Sequence, residues 1–336
     1  MTTYKGINGF AVQSVATDPS PLNEGQVWYN NATYAFKLAG FNAAAWATGG
    51  NLSNSRGWLA GSIGTQTAGI VAGGLNPSDI KITNTEEYDG TSWTSGGSIG
   101  PPGGIYVNTL VGTQTAGLSI SGESTGAPGN ALTQKYDGSS WTNTGSLNTA
   151  RQVGGAAGTQ TATIYFGGNR FPNPDSSAME NFNGTSWTTN PASLGTGRYN
   201  MLGIGTDGAA LSAGGNRDSP SPSPFGVNIV ESWNGTSWTS GTNMPAGKER
   251  LGGGGTQTAA IVFGGRNAGT DVATTFTWNG TSWSSQPSMP ATKANLGSGG
   301  NTSSAYAAGG SLNAPYSNTT FEWTGAEVAT KTITTS

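Results

Sequence analysis

One six-residue pattern constrains the fold of this chain more than any other feature: an aromatic residue, Asp or Asn, Gly, two small hydroxyl residues, and Trp. It occurs as Tyr88-Asp89-Gly90-Thr91-Ser92-Trp93 and again at Tyr136 to Trp141, Phe182 to Trp187, Trp233 to Trp238 and Trp278 to Trp283. A degenerate copy, Trp323-Thr324-Gly325 to Val328, closes the series, and Phe41 to Trp46 opens it. The Trp-equivalent positions lie about 45 to 51 residues apart, and a fixed period of this size marks a repeat architecture. Asp-Gly or Asn-Gly between two aromatic-bearing segments is a hairpin signal, because a tight turn needs the positive φ that these residues tolerate.

About twenty residues after each Trp comes a second signature, an apolar run ending in Gly-Gly: Ile70 to Gly74, Ile164 to Gly168, Leu211 to Gly215, Ile261 to Gly265 and Tyr306 to Gly310. The copy at Leu118 to Gly122 keeps only its second Gly. Gly-Thr-Gln-Thr-Ala or a variant precedes each run, at Gly64, Gly112, Gly158, Gly205, Gly255 and Gly300. Each repeat therefore reads as four short strands joined by tight turns. Radial stacking of such units leaves only short, protected sheet edges.

Later in each repeat stand a small apolar residue, Pro and a basic residue: Met244-Pro245 before Lys248, Glu249 and Arg250, Met289-Pro290 before Lys293, and Leu147 before Arg151. The succession resembles the kelch repeat over nearly the whole chain from Trp46 onward. That resemblance implies an all-β fold, a β-propeller of four-stranded kelch-like blades. Six regular units occupy residues 51–336, and residues 1–50 form a separate N-terminal segment. Segments at 26–30, 35–39 and 44–48, with 6–15 as a fourth strand, allow an irregular first blade, so seven blades are expected. Six blades with an N-terminal hairpin arm is the alternative. The turn at Gly-Thr-Ser-Trp is more uniform than in most kelch proteins, and the second unit has lost half its Gly pair.

The 56 glycines and the 9% of charged residues resemble a disordered composition, but eleven Trp, ten Tyr and ten Phe supply the apolar surface that disordered chains lack. The chain has no Cys and no His. These absences remove thiolate chemistry, the commonest general base and the commonest transition-metal ligand. Copper-binding kelch enzymes resembling galactose oxidase rely on His and a Tyr-Cys crosslink, so no catalytic residue, no metal and no cofactor is expected. A carboxylate-only carbohydrate-active enzyme is a lesser alternative. The net charge of −3 gives no footprint for nucleic acid, and no apolar run approaches a bilayer span. The polar N-terminus lacks a secretory core, which implies synthesis in the host cytoplasm without a signal peptide.

Trp93, Trp141, Trp187, Trp238 and Trp283 read as packing between repeats rather than as sugar-stacking residues. The Asp-Gly and Asn-Gly sites read as turns. Their spacing to Trp is one residue short of a sialidase Asp-box, and no repeat adds the further carboxylates that calcium needs. Asn183, Asn234 and Asn279 match glycosylation sequons, which have no meaning without secretion. Arg56, Arg151, Arg198, Lys248 with Arg250, and Lys293 recur ten to twelve residues after each Trp and are expected to bind carbonyls at the start of the inner strand.

The segments after Gly-Gly differ from repeat to repeat, at 75–84, 123–133, 169–178, 216–228, 266–273 and 311–318. Variable loops on a constant scaffold are where binding concentrates. Within them Arg170, Phe171, Arg217, Phe225, Arg266 and Tyr316 are the candidate binding residues, because Arg and aromatic side chains dominate interface energetics.

Finally, Asp18-Pro19-Ser20-Pro21 followed by Glu24-Gly25-Gln26-Val27-Trp28-Tyr29-Asn30-Asn31 resembles a segment of bacteriophage virion proteins, tail and surface components among them. The expectation is a non-enzymatic structural or receptor-binding protein of a phage particle. Its partners would be other virion proteins or a host cell-surface glycan, with no nucleic acid and no membrane insertion. An intracellular kelch-type interaction scaffold is the alternative.

Overall fold

The computed structural model describes residues 12–61, 63–101, 103–124, 129–170, 175–218, 226–310 and 315–333. All of its regular structure is β, and the described residues contain no helix. The chain divides into two compact units, Met1–Ala45 with Gly325–Ser336, and Trp46–Thr324.

The larger unit contains a series of antiparallel four-stranded sheets, an architecture consistent with a β-propeller. The third is typical: Gly155–Gly158, Thr163–Phe166, Met179–Phe182 and Trp187–Asn190 follow in sequence and in space. Burial falls from the first strands outward. Thr163–Phe166 is buried at every position, as is Ala260–Phe263 in the fifth sheet, while Trp187–Asn190 buries only its Trp and exposes Thr188 and Thr189. A strand buried on both faces must be apolar throughout, which explains why the run before Gly-Gly is continuous rather than alternating.

Four-residue loops join the two outer strands. Phe182 pairs with Trp187, and between them Asn183 Oδ1 accepts from Thr185 N at 3.0 Å and Ser186 N at 2.9 Å. Asp89 makes the same bonds to Thr91 and Ser92, both at 2.8 Å. Only the Gly of each loop has positive φ. Asp or Asn is chosen for its side-chain acceptor, and the two hydroxyl residues for the amides and hydroxyls they offer it.

The first strands are neighbours in cyclic order, from Gly64–Thr65 through Thr109–Thr113, Gly155–Gly158, Leu202–Gly205, Gly252–Gly255 and Gly297–Gly300, which again lies beside Gly64–Thr65. Their glycines permit this approach: a Cβ on Gly203 would lie 2.3 Å from the Ala156 carbonyl oxygen, and one on Gly254 2.3 Å from that of Gly300. Side chains also bind each sheet to the one before it. Trp141 Nε1 donates to Thr85 Oγ1 at 2.9 Å, Trp187 to Thr133 at 3.0 Å, and Trp93 in the first sheet to Thr320 in the last at 2.9 Å. The Gln of Gly-Thr-Gln-Thr-Ala does likewise. Gln114 Nε2 donates to the Gly69 and Tyr88 carbonyls, and Gln66 to those of Ala305 and Trp323. The repeated Trp residues are thus packing elements, each also set against the aromatic residue that opens its own motif, as Tyr88 against Trp93 at 4.7 Å.

The last sheet is assembled from both ends of the unit. Gly297–Gly300, Ser304–Ala308 and Thr320–Thr324 are completed by Ala45–Thr48. Trp46 takes the place that Val328 was expected to fill, its ring 5.5 Å from that of Trp323. Beyond Thr324 the strand Glu327–Thr332 pairs with Ala35–Asn42 in the smaller unit. The strands expected at 26–30 and 35–39 do pair with each other, but the one expected at 44–48 joins the last sheet instead of theirs. Of the proposed fourth strand at 6–15, residues 6–11 lie outside the described residues.

In the smaller unit the segment at 18–31 is organised by Asp18. Its Oδ1 accepts from Trp28 Nε1 at 2.9 Å and Asn30 Nδ2 at 2.7 Å. These bonds hold its carboxyl below the usual range. Asn30 Oδ1 in turn accepts from Ala32 N and Thr33 N, both at 3.0 Å, shaping the turn into the next strand.

Candidate functional site

The recurrent basic residues stand just ahead of the inner strands and are buried. Arg56, Arg151 and Arg198 pair with Glu86, Glu180 and Glu231 on the third strand of their own sheets. Arg56 also donates to the Asn84 carbonyl at 2.9 Å. In the fifth and sixth sheets Lys replaces Arg and Phe replaces Glu. Lys248 donates to the Gly264 and Thr274 carbonyls at 2.9 and 2.7 Å and lies 4.9 Å from the centre of the Phe276 ring. Lys293 repeats this with the Gly309 carbonyl at 2.7 Å and Phe321 at 5.1 Å. Burial pushes Lys248 down to about 7 and Lys293 to about 8. In the second sheet the same places hold Ile105 and Gln134, a neutral exchange. These cations belong to the scaffold, as their recurrence implies.

Two residues beyond each of these positions the backbone turns left-handed. The φ angles are 56° at Trp58, 52° at Val107, 53° at Val153, 56° at Asn200, 55° at Arg250 and 52° at Asn295. A non-Gly residue in this region costs on the order of 1 kcal/mol. The return is a chain of backbone hydrogen bonds from sheet to sheet: Asn200 N to Val153 O at 2.8 Å, Arg250 N to Asn200 O at 2.9 Å, Asn295 N to Arg250 O at 3.0 Å, Leu59 N to Asn295 O at 3.0 Å, and Val107 N to Trp58 O at 3.0 Å. Five of these residues line one cavity where the inner strands begin: Val107, Val153, Asn200, Arg250 and Asn295. Asn295 Nδ2 is buried there without a hydrogen-bond partner among the described residues, Arg250 Nε lies 3.5 Å from Glu249 Oε2, and the Arg250 guanidinium lies 4.7 Å from the Trp58 ring centre.

The variable loops begin at this same end. Leu75, Asn169, Asn216 and Arg266, each the residue after Gly-Gly, bridge to Gly57, Gln152, Tyr199 and Glu249. Beside the cavity the loops form an open cleft lined by Trp58, Leu75, Pro77, Asp79, Tyr106, Pro315 and Tyr316. Trp58 meets Tyr106 edge to face, with ring centres 5.9 Å apart. The Tyr316 hydroxyl donates to Asp79 Oδ1 at 2.7 Å. Burial, and then the bond to Asp79, push Tyr316 up to about 12.

Of the residues expected to bind, Tyr316 lies in this cleft. Arg266 turns its guanidinium onto its own loop, Nη2 donating to the Gly269 carbonyl at 2.7 Å. Arg217 is half-buried, its amide donating to Asn216 Oδ1 at 2.9 Å. Next to it the carboxylate of Asp218 accepts from the Tyr199 hydroxyl at 2.8 Å. Arg170 is exposed beside a separate depression with Asp175, Ser177, Asn190 and Ser193. Phe171 and Phe225 lie outside the described residues. The structure therefore unites Tyr316 with Trp58, Tyr106 and Asp79, residues that sequence reasoning passed over. A signal existed for Trp58: the position two beyond the basic residue reads Trp, Val, Val, Asn, Arg, Asn around the repeats, with no shared chemistry.

Among the described residues no group of three His, Cys, Asp or Glu side chains is placed to hold a metal ion. Comparison with protein-family models finds no match for the chain, and comparison with curated proteins finds none at a significant level.

Proposed function

We propose that the larger unit is a closed six-bladed propeller acting as a non-enzymatic binding protein, with its partner held at the end where the inner strands begin. The cyclic order of the inner strands supports the closure, as do the side-chain links from the first sheet back to the last. One observation carries the choice of end. Six equivalent positions keep one strained backbone conformation while their side chains range from Val to Trp to Arg. A backbone held constant under changing chemistry is a scaffold presenting a surface, whereas the Asp-Gly and Asn-Gly loops keep both backbone and side chains alike. Carboxylates at this end are engaged in holding tyrosines, Asp79 with Tyr316 and Asp218 with Tyr199, which suits a recognition surface better than a proton-transfer site.

A phage particle is the proposed setting, supported by the segment at 18–31, and a host glycan or another virion protein the proposed partner. Purified protein added in excess should compete with phage adsorption to host cells, or bind particles lacking the protein. Trp58→Ala and Arg250→Ala should lose that competition with little change in melting temperature. Undiminished competition by both variants, with loss instead on changing Tyr29 or Tyr34, would move the functional surface to the smaller unit.

A further inference from the structure

We infer that the cleft formed by Trp58, Tyr106, Tyr316 and Asp79 binds a neutral hexopyranose, an inference that rests on the binding role proposed for this end of the propeller. Trp58, Tyr106 and Tyr316 are half-buried, with the Arg250 guanidinium over the Trp58 ring and Lys81 Nζ 5.2 Å from the centre of the Tyr106 ring, so the rings are held in place while part of each remains open to solvent. Pro77 and Pro315 stiffen two walls of the cleft. The apolar C–H face of a pyranose matches an exposed aromatic face in size and polarity.

The polar atoms narrow the ligand further, because the cleft presents a carboxylate, Asp79, beside its rings. The Tyr316 hydroxyl donates to Asp79 Oδ1 at 2.7 Å. The second oxygen of Asp79 is offered as an acceptor. That carboxylate sits on a built turn: Asn76 Oδ1 accepts from Ser78 N and Ile80 N, both at 3.0 Å, and Asp79 N donates to Asn76 O at 2.8 Å. A ligand for this site must bring donors. Sugar hydroxyls do so. A proline-rich peptide presents mainly carbonyl acceptors and brings few donors to Asp79. The nearby cations are paired, Lys81 with Glu123 at 3.3 Å and Arg250 with Glu249 at 3.5 Å, which leaves Asp79 to set the local sign and disfavours sialylated or phosphorylated glycans.

The test is saturation-transfer NMR on the full chain with methyl glycosides of glucose, galactose, mannose and N-acetylglucosamine, alongside N-acetylneuraminic acid and a proline decamer. Transfer to the ring protons of at least one neutral glycoside is expected. It should weaken at least tenfold in Trp58→Ala and severalfold in Asp79→Asn. Because Trp58 also belongs to the backbone ring, Tyr106→Ala serves as the second aromatic variant, and each variant is compared at matched melting temperature. Signal only with the acidic sugar or with the proline peptide overturns the inference. Silence from every neutral glycoside overturns it too. If Trp58→Ala still abolishes competition for adsorption in that case, the binding end stands and only the sugar falls; if it does not, both fall.

Discussion

Trp46 donates its indole N–H to Thr275 Oγ1 at 3.1 Å across 229 residues of sequence. The same bond joins Trp93 to Thr320, Trp141 to Thr85 and Trp187 to Thr133. Trp46 therefore performs for the last sheet what the motif Trp performs elsewhere, although it comes from the opposite end of the unit. Its ring also packs on Phe263 and Trp323, at 4.9 and 5.5 Å. Trp46→Ala should lower unfolding free energy by about 2 kcal/mol, less than a fully buried Trp because Trp46 is half-buried. A urea midpoint equal to wild type would show that the link carries no stability.

The exchange between Arg with Glu and Lys with Phe makes a second prediction. Glu231→Phe alone leaves the buried Arg198 guanidinium without its carboxylate and should cost about 3–5 kcal/mol. Adding Arg198→Lys recreates the arrangement of Lys248 and Phe276 and should recover most of the loss. Chemical denaturation of the two single variants and the double variant measures the coupling. An additive double variant would mean the two positions are independent.

Lys248 and Lys293 imply a pH dependence of definite sign. Burial holds their folded pKa values at about 7 and about 8, below the ordinary lysine value of 10.5. Between these limits the unfolded chain binds more protons, so stability rises with pH. The upper bound of a clean measurement is set by Tyr88 and Tyr136, raised to about 12 mainly by burial, whose contribution is lost as pH climbs above the ordinary tyrosine value. Urea midpoints should therefore increase from pH 7 to 9.5, and Lys248→Met with Lys293→Met should flatten the rise. An unchanged slope in the double variant would assign the effect to other groups.

Gly184 has a φ of 94° in the loop between two outer strands. A β-branched residue is poorly suited to that conformation, and Gly184→Val should cost about 1–3 kcal/mol. The melting temperature reports it, and an unchanged value would place the strain elsewhere.

Much of this fold was legible because its causes are local. The apolar run before Gly-Gly, the Asp or Asn that caps its own loop, and the basic residue ahead of each inner strand all repeat with the geometry they serve. The completion of the last sheet by Ala45–Thr48 was not legible. Trp323-Thr324-Gly325 keeps enough of the motif to suggest a hairpin, yet Thr324 stands where the other copies have Asp or Asn, and the chain continues into Glu327–Thr332 instead. Ser121 shows the converse. It occupies the first Gly of the pair at φ 60°, its hydroxyl bonded to the Arg151 carbonyl, so a lapse in the pattern left the backbone unchanged. The cleft around Trp58 was invisible for a further reason. Its members come from the starts of two inner strands and from two loops, far apart in sequence, and no local pattern joins them.

The proposed closure through the strand that carries Trp46 would support the proposed binding end, where the backbone bond from Leu59 N to Asn295 O joins the last sheet to the first. The most direct measurement compares chains beginning at residue 43 and at residue 50, alike in lacking the N-terminal strands and differing in Ala45–Thr48. The shorter chain should melt well below the longer one. A synthetic peptide of residues 43–49 should raise its melting temperature with increasing concentration, as a ligand of the folded state must, and the same peptide with Trp46→Ala should not. Equal melting temperatures for the two chains, unaffected by the peptide, would contradict the account.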